Sequence, residues 1–129
     1  MPKAARIDPS VGRTDLVRQA AADSESFPSA FDWINDREEE RVANDQRNRG
    51  LDPKAIRDEA REFILKGGAI KCVPELGGQY KDRRHFHYDI IIPMADFPKG
   101  LYVEMELDCP DPDKSPPSVN LLNAHPSGD

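Results

Sequence analysis

Between Leu51 and Asp108 the chain changes its hydrophobic period once, and that change restricts what it can fold into more than any other feature. In "LDPKAIRDEAREFILKGG", Ile56, Ala60, Phe63 and Ile64 fall at i, i+4, i+7 and i+8, one continuous helical stripe. Asp52 is placed as the N-cap with Pro53 at the first helical position, and Leu51 and Ile56 are spaced to staple that end. Gly67 and Gly68 stop the helix. From Ala69 the period becomes two, in "AIKCV", "RHFHYDIII", "LYVEMELD" and "SVNLLNA", each bounded by Pro, Gly or Asp. A striped helix followed at once by short alternating strands predicts an α+β domain. The expected arrangement is N-terminal helices followed by a four-stranded antiparallel sheet, with the helix from Pro53 to Lys66 packed on its apolar face.

The alternation also predicts which side chains face water. In the second strand Phe86, Tyr88, Ile90 and Ile92 share the core side, which sends Arg83, His85, His87 and Asp89 to the other. In the third, Leu101, Val103, Met105 and Leu107 oppose Tyr102, Glu104, Glu106 and Asp108, the pattern of a half-buried strand. The last strand is ambiguous: either Val119, Leu121, Asn123 and His125 or Asn120, Leu122 and Ala124 can face the core. "DCPDPDKSPPS" is too rich in proline to pair as a strand interior and is expected to loop out.

At 129 residues one domain is expected, with an extended arm at 1–13, a helical extension at 14–50 and the helix-plus-sheet core at 51–125. In the extension, Thr14 is expected to cap a short helix, "DLVRQAAA", ending near Asp23. Ser29 would cap a longer one from Ala30 to Asn48, whose apolar residues include Phe31, Trp33 and Val42. No apolar run is long enough to cross a bilayer, and "MPKAARIDPS" lacks the apolar segment of a secretory signal. Cys72 and Cys109 show no metal-ligand spacing and fit free thiols in a reducing cytoplasm.

The net charge of −6 is uneven. Residues 1–66 hold 12 basic against 14 acidic side chains, 67–99 hold five against four, and 100–129 hold one against six. Three kinds of chemistry fit parts of this pattern. His85 and His87 on one strand face, with Glu104 and Glu106 on a neighbouring strand, make a conceivable divalent-metal set. They lack fixed metal spacing, however, so plain His–Glu pairing on a wet face is the simpler reading and no metal or cofactor is expected. The net-basic segment instead gathers Lys71, Tyr80, Lys81, Arg83, Arg84, His85 and His87, which fits metal-free RNA cleavage by 2′-hydroxyl attack. There His85 or His87 would be base or acid, Lys81 and Arg83 would neutralise the phosphorane, and Tyr80 would stack on a base or relay a proton. Lys71, Arg84 and His125 would contact RNA.

The order "AREFILKGG", "AIKCV", an Arg/His-bearing strand, "LYVEMELD" and a last strand closing on "NAH" resembles the core of small bacterial toxin ribonucleases of the RelE and MqsR-like group, over residues 52–125. That resemblance implies an endoribonuclease of a toxin–antitoxin pair, a hydrolase working from its exposed sheet face, with Lys81, Arg83, His85, His87 and His125 as the working positions. Its partners would be RNA and an antitoxin-like protein. The alternative is a small acidic binding or inhibitor protein without catalytic activity, docking on a basic protein through Glu104, Glu106, Asp108, Asp111 and Asp113, with Phe31 and Trp33 as aromatic anchors.

Overall fold

The computed structural model describes residues 13–74, 86–108 and 116–128. The expected α+β class is present, as three helices and a five-stranded mixed sheet. In chain order these are α1 (Thr14–Asp23), β1 (Phe31–Trp33), α2 (Asp36–Ala43), α3 (Pro53–Leu65), β2 (Lys71–Pro74), β3 (Phe86–Met94), β4 (Phe97–Asp108) and β5 (Ser118–Pro126). The strand order is β1-β5-β4-β3-β2.

Helix α3 forms for the local reasons its sequence advertises. The Asp52 carboxylate accepts from the Lys54 amide at 2.9 Å, Pro53 occupies the first turn, and Gly67 leaves the helix at φ +88. Its stripe of Ile56, Ala60 and Ile64 is wholly buried, and each isoleucine contributes about 2 kcal/mol of apolar burial. Arg18 of α1 then ties the two helices together. Its guanidinium donates to the Ile64 carbonyl at 3.0 Å and to the Gly68 carbonyl at 2.8 Å. Helix α1 lies where its spacing places it, but Thr14 is its first residue rather than its cap, and Arg13 precedes it without a side-chain cap.

The second expected helix, Ala30 to Asn48, is not one element. Pro28–Ala30 form a single 3-10 turn and Phe31–Trp33 form β1, which runs parallel to Val119–Leu121 of β5. A helix begins only after Asn35, whose side chain accepts from the Glu38 amide at 2.8 Å. The physical reason is burial. Phe31 and Trp33 stand two residues apart and are 1% and 7% exposed, so an extended chain puts both aromatic rings into the core, where a helix would splay them. The Trp33 indole N–H finds the Pro53 carbonyl at 2.9 Å. The sheet therefore has five strands and one parallel pairing, not four antiparallel strands, and these aromatic residues are core rather than docking anchors.

In the central sheet, β4 pairs antiparallel with β3 on one side and β5 on the other. Tyr88, Ile90, Ile92, Leu101, Val103 and Met105 all point to the helices, as the alternation requires. The ambiguity of β5 is resolved by a bulge. Val103 pairs with Ala124 and Glu104 with Asn123, but Met105 pairs with Leu121, so Leu122 is an extra residue. Val119 and Leu121 are buried before the bulge and Ala124 after it, which changes the strand's phase and puts His125 opposite Tyr102. Arg41 of α2 braces this point, donating to the Leu122 carbonyl at 3.1 Å and to Asn123 Oδ1 at 3.2 Å. Asn48, 1% exposed, donates to the carbonyls of Val42 and Ala124 and binds the turn after α2 to the same strand.

Gly100 sits in β4 at φ +83, where an added Cβ would come within 2.9 Å of the Ile92 carbonyl oxygen. Both the backbone and the space demand glycine. Gly100→Ala is expected to lower unfolding stability by more than about 1 kcal/mol, read as a drop in the urea midpoint, and an unchanged midpoint would contradict the need for glycine at this strand position.

Candidate functional site

The face of the sheet opposite the helices carries the polar alternates of the same strands. His87 and Asp89 project from β3, Tyr102 and Glu104 from β4, and His125 from β5. Register brings them together: Asp89 lies opposite Glu104, and Tyr102 lies opposite His125. Non-adjacent positions on one face of paired strands are the natural way for a sheet to gather five such side chains.

The contacts are short and specific. His87 Nε2 lies 3.3 Å from Asp89 Oδ1. The Tyr102 hydroxyl is 2.9 Å from Asp89 Oδ1 and 3.1 Å from Glu104 Oε1. A phenol has one proton, so it donates to one carboxylate at a time and the two compete for it. The Tyr102 ring stacks on His125 with centroids 4.9 Å apart at 29°, which holds the hydroxyl in place. Although this face bears no core, the His87 and Asp89 side chains are only 17% and 14% exposed. Burial, and then the hydrogen bond to Asp89, push the Tyr102 phenol far above its ordinary range. On the helix side, burial also raises Tyr88, whose hydroxyl accepts from the Arg13 amide at 2.9 Å.

Of the residues expected from sequence, His87 faces outward as the alternation requires. Lys71 is exposed on β2, opposite Asp89, and His125 joins the group through Tyr102. Tyr80, Lys81, Arg83, Arg84 and His85 lie outside the described residues, as do Asp111 and Asp113. The Glu106 carboxylate accepts from the Asn120 amide at 2.8 Å. Asp89 and Tyr102 are the central members that sequence reasoning passed over. Their signal was available, since Tyr102 alternates with Glu104 and Asp89 with His87, but only the strand register shows that the two rows meet.

Beside this group lies a hollow of about 540 Å³ lined mainly by Ile91, Pro93, Met94 and Pro98, with Lys99 at its wall and Ile91 48% exposed. Chemically, the site offers two carboxylates, two imidazoles and a tethered phenol, beside the exposed Ile91. Among the described residues, His87, Asp89 and Glu104 are the group able to hold a metal, with ligand atoms within 4.8 Å of one another. No helix among the described residues is long and apolar enough to cross a membrane.

The raised Tyr102 pKa has a consequence at high pH. The unfolded chain releases this proton near the ordinary value of 10.0 while the folded chain keeps it, so the stabilisation is complete below that pH and is lost as pH rises beyond it. Tyr102→Phe is expected to flatten the alkaline fall in the urea midpoint and to cost about 1 kcal/mol at neutral pH; equal alkaline slopes for the two proteins would refute this.

No protein-family model, curated protein or solved structure matches this chain.

Proposed function

We propose that this protein is a docking module, without catalytic activity of its own, that holds a basic segment of another protein on its open sheet face. The observation that carries this reading is the composition of that face. The exposed Ile91 and its hollow adjoin Asp89 and Glu104, with Glu106 and Asp108 further along β4. An apolar anchor site flanked by carboxylates complements a peptide with an apolar residue among lysines or arginines. The same charges oppose nucleic acid, whose binding depends on neutralising phosphates.

A second reading, the toxin-type endoribonuclease, is favoured by one specific contact. Asp89 lies against His87 Nε2, and a carboxylate-oriented imidazole is a competent general base or acid for 2′-hydroxyl attack. In that reading His87 acts with Lys81, Arg83 and His85, while Lys71 and His125 contact RNA.

One experiment separates the two. The full chain is titrated by fluorescence anisotropy with a labelled lysine-rich peptide carrying a central leucine, and separately with a single-stranded RNA in the presence of a chelator. Docking predicts peptide binding that weakens with salt and loses at least roughly fivefold, about 1 kcal/mol, on either Glu104→Lys or Ile91→Asp, with the RNA neither bound nor cut. RNA cleavage that disappears in His87→Ala would replace docking by the ribonuclease reading. Identical peptide titrations for wild type and both variants would end the docking reading outright.

A further inference from the structure

Among the described residues, the cluster on this sheet face sets two carboxylates beside one imidazole. Asp89 and Glu104 lie directly opposite each other on adjacent strands, and a single phenolic O–H is shared between them. Among the described residues neither carboxylate forms an ion pair with lysine or arginine; the His87 imidazole contacts Asp89, and Lys71 holds the position opposite it on β2. Two facing carboxylates that are partly withdrawn from water repel each other unless something positive lies between them. An imidazole nitrogen in contact with one of them turns this pair into a recognisable donor set.

We infer that His87, Asp89 and Glu104 form a binding site for one divalent transition-metal ion. Each residue offers one ligand atom, and all three lie within 4.8 Å of one another. Ligands bonded at about 2.1 Å stand roughly 3 to 4.2 Å apart around an ion, so the 3.3 Å between His87 Nε2 and Asp89 Oδ1 already equals one edge of a coordination shell. The remaining contraction is at most about 0.6 Å, within the reach of a side-chain torsion. The backbone is suited to the task, because His87 and Asp89 share one face of β3 and pairing holds Glu104 opposite.

The donor chemistry selects the ion. One nitrogen and two carboxylate oxygens suit Zn²⁺ or Mn²⁺. Ca²⁺ requires six to eight oxygens, and Mg²⁺ is bound mainly through water and a carboxylate or two. Tyr102, fixed by its stack on His125, supplies the outer hydrogen bond that orients ligating carboxylates. Three protein ligands leave at least one position open to water or to a donor from a bound molecule. The inference stands apart from both readings of the function, since it requires neither a peptide nor RNA.

The test uses the full chain, treated with chelator, desalted, and titrated calorimetrically with Zn²⁺, Mn²⁺ and, for comparison, Mg²⁺. The expected result is one Zn²⁺ per chain, weakened at least tenfold by His87→Ala or Glu104→Gln and about tenfold by Tyr102→Phe, with Glu59→Gln, on the exposed side of α3, leaving it intact. Metal-free urea unfolding of each variant shows whether it is folded. Should one fail to fold, paramagnetic broadening of the wild-type NMR spectrum by Mn²⁺ decides: broadening centred on residues 87–89 and 102–104 supports the site. Absence of binding, affinity unchanged in the folded variants, or broadening centred elsewhere overturns it.

Discussion

The double pairing of β4 is the constraint on which the rest of the molecule depends. Because β4 hydrogen-bonds to β3 along one edge and β5 along the other, a one-residue slip in either ladder would turn Val103 and Met105 toward water and Glu104 toward the helices. Both hydrophobic side chains are completely buried, so such a slip would cost several kcal/mol and the register is firmly specified. The polar face inherits this precision without contributing much to it. Asp89 meets Glu104, and Tyr102 meets His125, because the residues one position away on each strand are locked into the core.

The bulge at Leu122 shows how a small irregularity can compose a site. Unbroken alternation from Val119 and Leu121 would place His125 on the helix side, beneath a core with no partner for an imidazole. The extra residue reverses the phase, so Ala124 becomes the buried residue and His125 stacks on Tyr102. Arg41 and Asn48 both bond to carbonyls at or next to this bulge. Bulges leave backbone groups without ladder partners, and polar side chains from α2 and the turn after it satisfy them here. The segment between α1 and α3 is therefore part of what holds the open face in shape.

How much of this could be read from sequence follows from the range of each interaction. Helix α3 was legible because its cap, its proline, its stripe and its terminal glycine all lie within the segment itself. The faces of β3 and β4 were legible because a period of two over eight residues leaves little choice. Strand β1 was not. "FDW" has three residues, fits either period, and becomes a strand only by pairing with β5 at the far end of the chain. Likewise, sequence placed His87 outward but could not tell that Asp89 would contact it and that Tyr102 would bridge Asp89 and Glu104. That depends on the register that sets Asp89 opposite Glu104.

The acidic face and the cation site inferred within it draw on the same charges, and this sets how they can coexist. A divalent ion bound by Asp89 and Glu104 would cancel both carboxylates and remove much of the field that attracts lysine and arginine. Binding free energies at one set of groups are linked, so whatever factor a bound ion imposes on a basic partner, the partner imposes on the ion. Exposed Ile91 carries no charge and keeps its apolar contribution in either state, while Lys99 lines the hollow beside it. A partner anchored chiefly there would tolerate the ion, and could fill its open coordination position with a carboxylate or imidazole of its own. A partner held chiefly by charge would be displaced. The balance between the apolar step and the carboxylate row thus determines whether a metal acts on this face as a competitor or as a bridge.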